Sequence, residues 1–202
     1  KLFAKLLTIV FVISAFLFVM IEQGIMSWLP TFNSKVLHLP ENISIMMASI
    51  LAITLAVGRL LAGIITKKVN WIWVLSFCII AAMLIVVFVL PKTVGLDVKE
   101  INSLGDIPLI GFAFPLVGLF IAPIYPLLNS VVLSALPKKL HSSMTGLIVV
   151  FSALGGTLGS RIIGYLFKNE GPENAFYYTL IPMSLLLVSF FILKKLTAKK
   201  NE

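Results

Sequence analysis

Residues 71–90 read WIWVLSFCIIAAMLIVVFVL, twenty positions without a formal charge. Wound as a helix they rise about 30 Å at 1.5 Å per residue, the thickness of a bilayer's hydrocarbon core. The flanking connections are polar, KKVN before and PKTVGLDVKEINSLGD after. The alternation repeats along the chain. Apolar runs at about 6–32, 43–66, 107–136, 144–167 and 175–193 are further bounded by NSKVLHLPEN, PKKLHSS and KNEGPEN. Of the 202 residues, 59% are hydrophobic and 12% charged, and mean hydropathy is +1.08. Soluble domains average about 45–50% apolar and about 25% charged residues, so this is not one. Backbone facing lipid must satisfy its own hydrogen bonds, and runs this long and uniform do so as helices. The sequence therefore predicts an all-α, polytopic membrane protein, a bundle of six transmembrane helices.

The net charge of +8 is explained by topology. With both chain ends on one side, that side carries Lys1, Lys5, Lys67, Lys68, Lys138, Lys139, Lys194, Lys195, Lys199 and Lys200. The other side carries only Lys35, Lys92, Lys99 and Lys168, beside Glu41, Asp97, Glu100, Asp106, Glu170 and Glu173. This bias predicts both termini in the cytoplasm and a multi-pass protein of the plasma or bacterial inner membrane. No aromatic residues interleave the lysines as a nucleic-acid surface requires, which argues against such a partner. The one cysteine, Cys78, falls inside the third span, forms no intrachain disulfide, and reads as a small apolar filler. The chain opens on Lys rather than Met and reads as a piece of something longer, cut before a span; KKLTAKKNE reads as a natural end.

Three formal charges remain inside spans: Glu22, Arg59 and Arg161. Each is costly in hydrocarbon and needs a partner, water or a route out. Arg59 lies about 10 Å from the cytoplasmic end of its span, near enough to snorkel, and reads first as an anchor, with gating and substrate contact as the alternatives. Arg161 lies about 8 Å beyond the midplane and Glu22 about 4 Å beyond it, on the same side. At matched depth, these two are expected to pair or to face one water-filled cavity. Gln23, Ser27 and Thr31 follow Glu22 at four-residue steps, with Trp28 close by, and Tyr125 and Asn129 stand four apart in the fourth span. Carboxylate, amides and hydroxyls beside aromatic faces suit a polyhydroxylated ligand; they equally suit hydrogen bonding between helices.

Other residues point to movement. Pro115, Pro123 and Pro126 interrupt the fourth span, and each removes a helix hydrogen bond. In the fifth span Ser152, Gly156, Ser160 and Gly164 recur every four residues, with Gly155 and Gly159 on the adjoining edge. Small residues so spaced let a second helix approach closely, and let the pair slide or rock.

Six spans with a basic connection after the second resemble the C-terminal half of a major facilitator superfamily transporter. In GRLLAGIITKKVN, the residues Gly58, Arg59, Gly63 and Lys68 are similar to that superfamily's glycine-and-basic motif. The motif's acidic position is Lys67 here, and its closing Gly-Arg is Asn70-Trp71. Tyr125-Pro126, Gly155-Gly156 and Gly164, with IEQGIMSWLPTF at 21–32, resemble the fucose–galactose–glucose:proton symporter family and related sugar porters. Arg161 departs from that group, and leaves room for an anionic or otherwise different substrate.

The resemblance implies a secondary active transporter working by alternating access, with proton-coupled uptake of a small polar solute such as a sugar or organic anion. Its partners would be that solute, protons, lipid and an N-terminal six-helix half. Glu22, Gln23, Trp28, Tyr125, Asn129 and Arg161 are the expected solute and proton contacts. Glu22 would titrate, and Arg161 would be released. The rivals are a drug or metabolite exporter and a structural or sensing subunit. An enzyme is disfavoured: His38 and His141 both lie in connections, and no Cys/His/Asp cluster lies at membrane depth. No cofactor or metal is expected.

Overall fold

The computed structural model describes residues 2–93 and 103–198, with backbone only for residues 2–4. Lys1, Lys99, Lys199, Lys200, Asp97 and Glu100, used in the topology count, lie outside the described residues. Among the described residues every regular element is a helix: α1 Leu2–Val36, α2 Glu41–Ile65, α3 Trp71–Thr93, α4 Leu109–Ala113, α5 Val117–Ile121, α6 Ile124–Ala135, α7 His141–Asn169, α8 Pro172–Ala175 and α9 Leu180–Ala198. They compose six membrane-length segments, bounded as Lys5–Val36, Glu41–Ile65, Trp71–Thr93, Leu109–Ala135, Lys138–Asn169 and Pro172–Ala198. The protein is a multi-pass, all-α membrane protein.

The expected spans match within a few residues, with one instructive difference. The first connection was expected to open at Asn33, but α1 runs on to Val36 and Asn33 is fully buried. The polar residues 33–35 thus extend the helix by one turn, and Leu37–Pro40 alone turns the chain into α2.

The fourth span is broken by its prolines. Pro115 sits in the break between α4 and α5, Pro123 immediately precedes α6, and Pro126 lies in its first turn. Pro123 has no N–H for the carbonyl of Leu119 four residues back. That carbonyl instead presses on Gly58 of α2, where an added Cβ would collide with it. The Thr54 hydroxyl, 2.9 Å from the Pro115 carbonyl, ties α2 to the other break. Both breaks are covered by protein, the condition for irregular backbone at membrane depth.

The centre of the bundle is α1, which packs on α7, α9, α2 and α6. Its most extensive contact, with α7, is made through glycines. A Cβ on Gly155 would collide with the backbone of Phe16, and one on Gly159 with the backbone of Met20. From α1, Gly24 returns the favour: a Cβ there would stand 3.1 Å from Ile163. The two small-residue rows expected in the fifth span therefore have separate jobs. Gly155 and Gly159 admit backbone; Gly156 and Gly164 admit the side chains of Gln23 and Trp28. On its other flank α1 is joined to α9 by the buried Ser14–Ser189 hydrogen bond of 2.9 Å.

Helical glycine is intrinsically worse than alanine by about 1 kcal/mol, so its retention must be repaid by packing. Gly159→Ala should destabilise the purified protein by about 1–3 kcal/mol through overpacking. Gly146→Ala, on the same helix, where an added Cβ would meet nothing within 4 Å, should be neutral or slightly stabilising. Thermal unfolding in detergent compares them, and equal melting temperatures would refute the backbone-contact account of the seam.

Candidate functional site

Glu22 lies midway along α1 and is 9% exposed. Its partner is Arg59 of α2, whose Nη2 donates to the Glu22 Oε1 at 3.2 Å. Two expectations are corrected here. Arg59 does not snorkel away from the core; its guanidinium turns to the buried carboxylate. Arg161 is exposed on α7, and among the described residues it makes no ion pair.

The physical reason is azimuth. Phe16, Met20, Gly24 and Trp28 mark the stripe of α1 that meets α7. At about 100° per residue, Glu22 points roughly opposite the middle of that stripe. Depth alone cannot pair two charges when a helix stands between them. Arg59 is near enough because its long side chain spans the height difference, and because a desolvated carboxylate attracts a cation more strongly than water-screened charge does.

The other expected contacts divide between two places. Gln23 lies against Gly156, and Trp28 lies over Gly164, its Nε1 donating to the Ser160 carbonyl at 2.7 Å. Trp28 also packs on Phe167, with centroids 5.2 Å apart. Both side chains belong to the α1–α7 seam, away from Glu22. Ser27 is exposed, and Thr31 lines a cleft with Lys35, Glu41 and Ser44, so the polar stripe does not converge on the carboxylate. Tyr125 stacks on Phe18 at 5.5 Å, and its hydroxyl is 3.4 Å from the Ser152 Oγ, linking α6, α1 and α7. Asn129 is half-buried, and its Oδ1 has no hydrogen-bond partner among the described residues.

The motif residues also separate. Gly58 packs against the Leu119 carbonyl, a Cβ on Gly63 would meet nothing within 4 Å, and Lys68 is exposed in the turn after α2. Arg59, 53% exposed along its side chain, lines a groove of about 180 Å³ with Gly63, Thr66, Pro123, Pro126 and Ser130. Ser130 and Thr66 were not anticipated. Ser130 follows Pro126 at four residues, a spacing that could have marked it.

A double-mutant cycle tests the assignment. Glu22→Gln with Arg59→Gln should show coupling of about 0.5–3 kcal/mol, and Glu22→Gln with Arg161→Gln should be additive within about 0.5 kcal/mol. Arg59→Gln alone should cost more stability than Glu22→Gln alone, because it strands a buried carboxylate while the half-exposed guanidinium can still find water. Denaturation of the purified variants measures both. Coupling confined to the Arg161 cycle would overturn this pairing.

Comparison with known proteins agrees with the architecture. The chain is similar to the crystal structure, grown in meso, of the POT family transporter PepTSo, with TM-score 0.76 and 17% sequence identity. The match covers 94% of this chain and 37% of that one, so the chain spans little more than a third of that transporter. At this identity the likeness shows the fold. No curated protein matches the chain. The family model described as Major Facilitator Superfamily matches residues 1–160, most of the chain, and the chain belongs to that superfamily.

Proposed function

We propose that residues 1–202 are the C-terminal six-helix half of a secondary active transporter with both ends in the cytoplasm, and that the Glu22–Arg59 pair couples a proton to a small polar solute. The pair itself carries this reading. A buried ion pair is seldom more stable than apolar residues of the same volume, so stability gives little reason to keep one. Ionisable groups within membrane segments characteristically serve ion and solute pathways.

The mechanism follows from the asymmetry of the pair. Glu22 is buried, whereas Arg59 is half exposed and lines the groove beside Pro123 and Pro126. A proton reaching the Glu22 carboxylate neutralises it and removes the charge that holds Arg59. The guanidinium keeps its own charge and its five donors, and turns to a carboxylate or hydroxyl oxygen of the solute. Loss of the proton restores the pair and displaces the solute. Arg59 thus takes the releasable role first expected of Arg161. A sugar or an organic anion fits these donors, and the Ser130 hydroxyl of α6 lines the same groove. Superfamily membership supports a transporter rather than an enzyme. The second and fifth spans bury the smallest share of their residues within the bundle, and in this reading meet the missing half. Alternating access then rocks one bundle against the other about a midplane site.

The experiment uses full-length protein in proteoliposomes, screened with radiolabelled monosaccharides and carboxylates. Glu22→Gln should reduce proton-driven accumulation of the responding solute at least tenfold while leaving solute exchange without a gradient intact. Undiminished accumulation would remove Glu22 from coupling, and a panel without any transported solute would count against the polar-solute reading.

A further inference from the structure

A second groove, larger than the one beside Arg59, opens on the bundle. It lies between α2, α3 and α5, with a volume of about 410 Å³, and its lining includes Leu61, Ile65, Trp73, Phe77, Leu119 and Phe120. Trp73 and Phe77 are each 66% exposed, and Phe77 meets Phe120 edge-on at 6.1 Å to form one wall. The groove begins at Val69, in the turn after α2, and reaches down to Gly58 and Cys78. From Ile65 to Gly58 that depth is about 10 Å at 1.5 Å per residue.

We infer that this groove holds an acyl chain of an anionic phospholipid whose headgroup is bound by Lys67, Lys68 and Lys194. The lining selects the occupant. Sites for soluble ligands combine apolar walls with a few convergent polar groups, and none of the lining side chains here carries a charge, an amide or a hydroxyl. A membrane helix seeks small residues that allow close approach; Gly58, Ala62 and Cys78 are small, but half of this lining is the bulky set Leu61, Ile65, Trp73, Phe77, Leu119 and Phe120. An acyl chain needs neither.

The mouth of the groove supplies what the lining lacks. Lys67 and Lys68 are exposed in the turn that contains Val69. Lys194 of α9 holds its Nζ 5.8 Å from the centroid of the Trp73 ring, at the groove wall itself. No described carboxylate lies in residues 66–70 or 190–198 to neutralise them. Each lysine at an anionic surface strengthens attraction about fivefold. A general excess of lysine on one side of a membrane protein sets its orientation, but does not require a lysine against a groove-lining tryptophan. That placement puts a headgroup and its chain within reach of one molecule.

Native mass spectrometry of the full-length protein with equimolar phosphatidylglycerol and phosphatidylcholine tests the assignment. Phosphatidylglycerol should be retained preferentially. The surface variant Lys67→Gln/Lys68→Gln/Lys194→Gln should lower its affinity at least tenfold without changing retention of phosphatidylcholine. A second readout places the chain: phosphatidylglycerol with brominated acyl chains should quench tryptophan fluorescence more than brominated phosphatidylcholine does, and Trp73→Phe should abolish the difference. Equal retention of the two lipids, or undiminished phosphatidylglycerol binding by the triple variant, would overturn the proposal. So would a quenching difference that survives Trp73→Phe.

Discussion

The backbone contact between α1 and α7 fixes most of what matters here. Gly155 and Gly159 let α7 approach so closely that the backbones of Phe16 and Met20 occupy the space where side chains would otherwise lie. A contact of that kind allows one rotation of α1 about its axis. Once the stripe containing Phe16, Met20, Gly24 and Trp28 faces α7, Glu22 must face the other way, toward α2. The identity of the carboxylate's partner is thus decided by glycines that never touch it.

A second contact sets the partner in place. Gly58 packs against the Leu119 carbonyl, which Pro123 deprives of its helical donor. This close approach holds α2 against the broken span and leaves the next residue, Arg59, on the edge between α1 and the proline groove. The neighbouring glycine and arginine of the motif therefore have complementary tasks: one fixes the helix, and the other carries the charge. The two proline-broken turns and the ion pair share one region of the bundle, so a bend in span four bears directly on the groove that Arg59 lines.

Much of this was legible in the sequence because bilayer physics is restrictive. The six apolar runs, the small-residue rows of α7 and the interrupting prolines of span four all appear where periodicity and composition place them. The pairing of Glu22 did not. Distance along a helix gives depth from sequence alone, but azimuth depends on which face a neighbour claims, and that is a tertiary fact. The same gap affected Trp28, which composition assigns to a ligand and the seam assigns to the Ser160 carbonyl. Arg59 illustrates a different limit: snorkelling is the solution for an isolated arginine, and a buried carboxylate within reach makes it the wrong one.

The two ends of the bundle are held differently, and this bears on where it can bend. At one end the rings of Phe32, Phe114, Phe167 and Phe176 form a continuous cluster, with centroids between neighbours 4.9 to 5.4 Å apart and Trp28 joined to it through Phe167. It clamps α1, the α4 end of span four, α7 and the segment leading into α9. Phe114 is the last ring before Pro115, so the clamp stops where the proline breaks begin. Beyond it, span four is held to α2 by Gly58, Gly118 and the Thr54 hydroxyl, contacts with little interdigitated bulk. Aromatic pairs add about 0.5–1.5 kcal/mol each beyond the area they bury, and small-residue contacts lack that reinforcement. Beyond Pro115 span four keeps aromatic contacts to α3 through Phe120 and to α1 through Tyr125, so the side that lacks this reinforcement is its glycine-lined face toward α2, and a shift there changes the groove at Arg59.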